Sequence, residues 1–244
     1  MIQAILFDLD DTLYTSFDQL NAAGYDAVSV WVERELGIPA ADFREQAVAA
    51  RRYYHTILHA EPESHDRVVQ MQRALEVFGI NPIRYAQSLH EIYWQTLMDG
   101  MELRPGTPEL LDELHGLGLK TCVCTNMMAD KQMEKLVRLG LADRFDAFVA
   151  SEEAGRDKPA PRIFELCLEK CGCAPQEAVM VGDNRDHDIG GALALGLHGI
   201  WLNWTGRPHA RYRCPHYEAA DMYGVRKCIS EILKKEGISH ALFV

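Results

Sequence analysis

The segment QAILFDLDDT, residues 3–12, runs from a short apolar stretch directly into a group of carboxylates and a hydroxyl. A short, mostly apolar run bounded by polar residues is typical of a strand that is buried on both faces of a parallel sheet. In an open parallel sheet, ligands bind outside the carboxyl ends of the strands. The segment therefore predicts an α/β fold whose first strand brings acidic side chains to a binding site.

The rest of the 244-residue chain falls into two patterns. Residues 17–99 contain four stretches with helical periodicity and almost no strand pattern, and Ser64 is placed to cap the third helix. The later part of the chain alternates apolar runs with helices, which is typical of βαβ units. We therefore predict a Rossmann-like parallel-sheet core over residues 1–16 and 100–244, split by an all-helical cap over residues 17–99.

The net charge of the chain excludes several classes of partner. With 25 Lys and Arg against 36 Asp and Glu, the formal charge is −11, which argues against binding to nucleic-acid polymers or anionic membranes. No apolar run is long enough to span a bilayer, and the N-terminus lacks the pattern of a signal peptide. Seven cysteines, an odd number, indicate free thiols in a reducing compartment, so we expect a cytoplasmic protein.

Two sets of potential metal ligands lack a recognised metal-binding pattern. Cys167, Cys171 and Cys173 do not have the spacing of the common zinc sites. His55 and His59 lie four residues apart, about one helical turn, but without the HExxH pattern. We therefore expect ordinary helix faces and loops at both places.

Polar residues follow three of the predicted strands and precede one helix. They are Asp8 and Asp10 after the first strand, Thr125 and Asn126 after the next, Asp183 and Asp188 after a later one, and Lys158 before a helix. Because the carboxyl ends of parallel strands meet at one edge of a sheet, we expect these side chains to lie together. The sequence thus predicts a site of carboxylates, a hydroxyl, an amide and an ammonium group.

These residue types fit the transfer of a phosphoryl group. Carboxylates gathered at one site need a cation, and Mg²⁺ is the hard, oxygen-binding ion that suits a phosphate site. Lys158 would neutralise an anionic substrate, and Thr125 and Asn126 can donate hydrogen bonds to phosphate oxygens. Asp8 is the candidate nucleophile, and Asp10, two residues on, can serve as general acid and then as general base.

Four motifs in the chain resemble those of the haloacid dehalogenase superfamily. The segment FDLDDTL, residues 7–13, matches its DxDxT motif, and Thr125 matches the Thr or Ser that closes a strand. Lys158 with the following Pro matches the third motif, and GDNRDHD, residues 182–188, matches GDxxxxD. The order of the motifs also agrees, and the long insert between the first two resembles the helical cap of the first subfamily.

The resemblance implies roles for the carboxylates and a Mg²⁺ cofactor. Asp8 would be the nucleophile and a metal ligand. Asp10 would be the general acid and base, with its backbone carbonyl on the metal. Asp183 would be a further metal ligand, whereas Asp188 would support the site without binding the metal.

The resemblance also implies a phosphate-binding set. Thr125 and Lys158 would hold the phosphoryl oxygens, and Lys158 would in addition pair with Asp8. Asn126 would assist through its backbone or its amide group.

The expected activity is a Mg²⁺-dependent phosphomonoesterase that acts on a small metabolite, a nucleoside monophosphate or a sugar phosphate, through an aspartyl-phosphate. Residues 151–155, 158–164 and 201–203 resemble pyrimidine nucleotidases and N-acylneuraminate-9-phosphate phosphatases. A sugar phosphomutase, a 2-haloacid dehalogenase and a non-catalytic binding module are the alternatives. Asp10 disfavours the dehalogenase, because a halide leaving group needs no proton. The substrate and the choice between monomer and homodimer stay open.

Overall fold

The computed structural model describes residues 1–206 and 217–236. The chain forms two compact units. One unit consists of Met1–Thr15 and the described residues from Leu103 onward, and the other is Ser16–Glu102. Within the described ranges, no helix has the length and apolarity that crossing a membrane would require.

The unit Ser16–Glu102 is helical. Its helices are α1 (Phe17–Leu36), α2 (Ala40–Ile57), α3 (Arg67–Val77) and α4 (Ala86–Asp99), with 3-10 turns at Pro62–His65 and Pro82–Arg84. Helix α1 packs against α2 and α4, and α3 packs against the same two helices. Gly24 permits the close approach of α1 to α4, because a Cβ atom there would lie 2.7 Å from the Tyr93 ring.

The predicted cap of the third helix is wrong. Ser64 lies inside the 3-10 turn, and the chain enters α3 only at Arg67. Asp66 is the N-cap, since its carboxylate accepts a hydrogen bond of 2.7 Å from the backbone N–H of Val68. The 3-10 turn Pro62–His65 includes Ser64 itself, so the cap lies two residues later than predicted.

The other unit is built around a six-stranded sheet. Its strands are β1 (Ala4–Phe7), β2 (Lys120–Thr125), β3 (Ala147–Ala150), β4 (Ala178–Gly182), β5 (His198–Leu202) and β6 (Tyr217–Ala219). Their order in the sheet is β3-β2-β1-β4-β5-β6, and every neighbouring pair is parallel. The predicted α/β fold class is confirmed. The sequence pattern missed β6, whose three residues include the exposed Glu218 and are too few for an apolar run.

Helices cover both faces of this sheet, as a parallel sheet requires. They are α5 (Thr107–Gly116), α6 (Ala129–Arg138), α7 (Ser151–Ala154), α8 (Pro161–Cys171), α9 (Gly191–Ala194) and α10 (Met222–Lys235). A π-helical turn at Arg185–Gly190 precedes α9. Helix α8 packs against β2 and β3, where Cys122, Phe164 and Cys167 are buried in one apolar cluster. The strand at the centre, β1, therefore has a buried environment on both sides.

Candidate active site

The register of the central strands brings the predicted site residues to one edge of the sheet. Phe7, the last residue of β1, is aligned with Val123 of β2 and with Val181 of β4. Asp8, Thr125 and Asp183 therefore all lie at or just beyond the carboxyl ends of three adjacent strands. This is the edge at which open parallel sheets bind ligands.

Lys158 joins three groups at this edge. Its Nζ lies 2.6 Å from Asp8 Oδ1 and 2.7 Å from Asp188 Oδ1, and it donates a third hydrogen bond of 2.7 Å to the carbonyl oxygen of Cys124. Three acceptors use all three hydrogens of an ammonium group. Burial lowers the pKa of Lys158, but the charges of Asp188 and Asp8 outweigh burial and raise the pKa well above its ordinary value. Lys158 is therefore a fixed cation beside Asp8.

Asp8, Asp183 and Asp188 form a carboxylate cluster that suits a divalent cation. One carboxylate oxygen of each lies within 4.8 Å of the others. Three negative charges against the one positive charge of Lys158 leave two negative charges uncompensated. The donors are all hard oxygens, and Mg²⁺ or a similar ion is their natural partner.

Two carboxylates of the cluster have raised pKa values, as expected where buried negative charges outnumber positive ones. Burial raises the pKa of Asp8 to about 7 against the lowering effect of Lys158, with the charges of Asp188 and Asp10 adding to the rise. Burial, followed by the charges of Asp8 and Asp188, raises the pKa of Asp183 to about 8. Without a further cation, the cluster therefore holds protons at neutral pH that a metal ion would displace.

Gly182 and the π-helical turn place Asp188 close to strand β4. A Cβ atom on Gly182 would lie 2.2 Å from Asp188 Oδ2, so a larger residue there would displace the carboxylate. Asp188 Oδ2 also accepts a hydrogen bond of 2.9 Å from the backbone N–H of Asn184. Because π-helical turns often mark functional sites, this turn is a local signature of the site.

The loop after β1 ties Asp8 to Asp183. The hydroxyl of Thr12 donates to Asp8 Oδ2 at 3.0 Å and accepts from the backbone N–H of Asp183 at 3.0 Å. Asp11, with φ 58°, adopts the left-handed conformation that non-glycine residues rarely take. Arg104, which is nearly buried, stabilises this loop by donating to the carbonyl oxygens of Thr12 at 3.0 Å and Asp11 at 2.7 Å.

Asp10 does not join the carboxylate cluster, because three other side chains bind its carboxylate. Lys135 Nζ lies 2.6 Å from Oδ1, the hydroxyl of Tyr14 donates to the same oxygen, and Gln132 Nε2 donates to Oδ2 at 3.0 Å. Burial alone would raise the pKa of Asp10, but the charge of Lys135 and the hydrogen bonds from Lys135, Tyr14 and Gln132 lower it below its ordinary value. In this state Asp10 is a carboxylate, the form that accepts a proton.

Thr125 and Asn126 lie beside Lys158 and Asp10. Thr125 is nearly buried, and its hydroxyl oxygen accepts a hydrogen bond of 2.6 Å from Gln132. Asn126 Oδ1 accepts from the backbone N–H of Lys158 at 2.7 Å, so this amide fixes the segment that carries the lysine. All seven residues predicted from the motifs are therefore in the same region, with Asp10 held apart from the cluster.

The sequence interpretation missed Tyr14, Arg104, Gln132 and Lys135. Gln132 and Lys135 are fully buried and lie three residues apart on α6, next to the apolar Leu136. Polar residues at core-facing positions of an amphipathic helix are the signal that could have identified them. Tyr14 and Arg104 have no comparable sequence signal, since their partners are backbone groups and a carboxylate set by the loop conformation.

Comparisons with known proteins agree with this architecture. Residues 2–196 match the family described as "Hydrolase: haloacid dehalogenase-like hydrolase". A ribulose-1,5-bisphosphate 5-phosphatase of Halopiger xanaduensis is 38% identical over 82% of this chain and 84% of its own length. The pyrimidine 5'-nucleotidase YjjG of Escherichia coli is 27% identical over 92% of this chain and 96% of its own length.

A solved structure extends the similarity to three dimensions. The crystal structure of a HAD phosphatase from Thermococcus onnurineus has a TM-score of 0.73 and is 28% identical, covering 93% of this chain and 98% of that one. The resemblance inferred from the four motifs is confirmed, including that to pyrimidine nucleotidases. On the family match and the shared fold, this protein belongs to the haloacid dehalogenase-like hydrolases.

Proposed function

We propose that this protein is a Mg²⁺-dependent phosphomonoesterase that forms an aspartyl-phosphate on Asp8. The observation that carries the proposal is the pairing of Lys158 with both Asp8 and Asp188 inside a buried carboxylate cluster. A lysine in this position neutralises an incoming phosphate and keeps the nucleophile oriented. The fixed cation would be of little use to a neutral substrate.

The carboxylates of Asp8 and Asp183 and the backbone carbonyl of Asp10 would hold the magnesium ion. Asp188, already bonded to Lys158 and Asn184, would support the site from outside the ligand set. When bound, the ion would neutralise charge on the phosphoryl oxygens and on the carboxylates around them.

The residues then have distinct tasks in two steps. A carboxylate oxygen of Asp8 attacks phosphorus, the ester P–O bond breaks, and its electron pair goes to the leaving oxygen, which takes a proton from Asp10. In the second step Asp10 removes a proton from water, and this water attacks the aspartyl-phosphate and releases phosphate. The lowered pKa of Asp10 favours the second step, so Asp10 must take up a proton before it acts as the acid.

The proposed substrates are small sugar phosphates or nucleoside monophosphates. The support comes from the similar proteins, one a ribulose-1,5-bisphosphate 5-phosphatase and one a pyrimidine 5'-nucleotidase. The helical unit Ser16–Glu102 is proposed to act as a cap that chooses among leaving groups. The six cysteines in the described ranges are free thiols, which supports the proposed cytoplasmic location.

The environment of Asp10 bears on the alternative activities. A halide needs no proton to leave, so a dehalogenase would have no use for a carboxylate with three dedicated hydrogen-bond donors. A phosphomutase would use the same groups and return the phosphoryl group to a second hydroxyl.

The decisive experiment is a phosphate-release screen over sugar phosphates, nucleoside monophosphates and phosphoglycolate, with Mg²⁺ and with a chelator. We expect release that depends on Mg²⁺. Isomer formation without phosphate release would identify a mutase, and halide release from 2-haloacids would identify a dehalogenase. No reaction with any of these compounds would contradict the proposed function.

A further inference from the structure

Gln132 connects two residues to which the proposed mechanism gives separate tasks. Its Nε2 lies 2.6 Å from Thr125 Oγ1, 3.0 Å from Asp10 Oδ2 and 2.9 Å from the carbonyl oxygen of Asn126. The side chain is fully buried and extends from α6, an element that contributes none of the motif residues.

The neighbours of Gln132 determine which end of its amide faces them. The ionised carboxylate of Asp10 and the backbone carbonyl of Asn126 can only accept hydrogen bonds, so the NH₂ end must point toward them. The amide nitrogen cannot accept a hydrogen bond, so the Thr125 hydroxyl, 2.6 Å away, can only accept from it, and the two N–H hydrogens are shared among three acceptors. The hydroxyl's own hydrogen is therefore directed away from Gln132 and is donated to the carbonyl oxygen of Asn126 at 3.3 Å, a long hydrogen bond that a bound phosphoryl oxygen would replace.

Within the described ranges, the carbonyl oxygen of the Gln132 side chain makes no hydrogen bond that would stabilise the fold. Among the described residues, none donates a hydrogen bond to the buried Gln132 Oε1. A buried acceptor without a donor is destabilising, so the Oε1 end offsets part of the stability that the Nε2 contacts contribute. The amide is therefore explained by its contacts with Thr125 and Asp10 rather than by packing.

We propose that Gln132 is a positioning residue that makes the Thr125 hydroxyl a dedicated donor to the phosphoryl group. This inference rests on the proposed function, in which Thr125 binds a phosphoryl oxygen. Gln132 does not touch the substrate in this scheme. It acts by occupying the acceptor side of the hydroxyl and by holding one oxygen of Asp10 in line with it.

The test is a double-mutant cycle on the full-length protein with Gln132→Met, Thr125→Val and the double variant. Methionine keeps the length of glutamine and removes its hydrogen bonds. The readouts are kcat/KM for an active phosphate ester, the inhibition constant of inorganic phosphate, and the thermal midpoint. Lys131→Met, one residue earlier on α6, is the matched control, since Lys131 pairs with a neighbour on the same helix, Glu134, at 3.1 Å.

We expect Gln132→Met to lower kcat/KM and weaken phosphate inhibition by about tenfold each. In the Thr125→Val background, Gln132→Met should have almost no further effect on kcat/KM or on phosphate inhibition, because the hydroxyl that Gln132 orients is absent. The thermal midpoint of Gln132→Met should fall modestly, because Asp10 and Asn126 each lose a donor, and the fall should be the same in the Thr125→Val background. Lys131→Met should keep wild-type activity. A purely structural role would give additive losses of kcat/KM and of phosphate binding in the cycle.

Additive losses in the cycle, or a Gln132→Met variant with wild-type phosphate inhibition, would overturn the proposal. If Gln132→Met does not fold, the cycle is repeated with Gln132→Glu, which presents only acceptors to Thr125. Wild-type kcat/KM in Gln132→Glu would also overturn it. A wild-type protein that releases no phosphate refutes the proposed function itself, whereas an active wild type with additive losses refutes only the role of Gln132.

Discussion

At the scale of single residues, two buried lysines pair with carboxylates whose pKa values shift in opposite directions, and the proposed mechanism gives both carboxylates a catalytic role. Lys158 contacts Asp8, but burial and the other carboxylates still raise the pKa of Asp8 to about 7. Lys135 contacts Asp10, which lies apart from the carboxylate cluster, and there the pKa falls below its ordinary value. The difference follows from the number of negative charges that share each ammonium group.

Asp8→Asn should abolish turnover, because an amide cannot form the aspartyl-phosphate. We expect a loss of at least about a thousandfold in kcat on an aryl phosphate. Asp143→Asn, at an exposed position, is the control and should retain full activity. Appreciable turnover by a verified Asp8→Asn sample would remove Asp8 from the role of nucleophile.

Lys135→Met should destabilise the fold by about 3 kcal/mol, because it leaves the carboxylate of Asp10 without its countercharge. The partners are a fully buried ammonium and a carboxylate that is only 21% exposed. Lys131→Met removes a more exposed pair on the same helix and should change the free energy of unfolding by less than about 1 kcal/mol. Urea unfolding of both variants checks the difference, and equal effects would contradict the importance of burial.

At the scale of elements, close contacts between helices and strands determine where side chains can lie. Helix α6 follows β2 and directs Gln132 and Lys135 toward Thr125 and Asp10. Glycines lie at two of the closest contacts. Gly24 lies where α1 meets α4, and Gly182 lies at the end of β4 beside Asp188. A polar residue on a helix can therefore complete a site that the strand ends begin.

Gly24→Ala should destabilise the protein although alanine is the better helix former. The added Cβ would lie 2.7 Å from the Tyr93 ring, and overpacking of this kind costs about 1–3 kcal/mol. Gly116→Ala is the matched control, since its Cβ would meet no atom within 4 Å, and it should stabilise by about 0.5–1 kcal/mol. Thermal unfolding measures whether each variant is destabilised or stabilised. A stabilised Gly24→Ala would show that α1 and α4 are not packed this closely.

At the scale of the whole molecule, the stability of the metal-free protein depends on the carboxylate cluster. Raised pKa values of Asp8 and Asp183 contribute stability that is present below the ordinary value of about 4 and is lost as pH rises through about 7 and 8. A bound metal ion would replace these protons with a stronger positive charge. Folding and proton binding are linked, and metal binding would be linked to both.

The rise in thermal midpoint caused by Mg²⁺ should be larger at about pH 8.5 than at about pH 6, because fewer protons compete with the ion at the higher pH. Differential scanning fluorimetry at both values, with saturating Mg²⁺ and with chelator, measures the effect. Asp183→Asn should remove most of the gain at both values. A gain that is the same at the two pH values would contradict the link between the cluster and the ion.

The sequence by itself determined the fold class and the set of motif residues. Short apolar runs that end in polar residues, alternating with helices, specify a parallel sheet, and the carboxyl ends of its strands must meet at one edge. The positions of Asp8, Thr125 and Asp183 therefore followed from local patterns, because each is attached directly to a strand that the pattern defines.

Only the tertiary structure decided the surroundings of Asp10 and the details of several elements. Gln132 and Lys135 reach Asp10 across more than 120 residues, and no local pattern specifies which buried polar groups will meet over such a separation. The N-cap at Asp66 and the short strand β6 depend likewise on a turn and on a neighbouring strand. Strand ends are placed by backbone hydrogen bonding, which the sequence pattern reveals, whereas side-chain partners are selected by packing, which it does not.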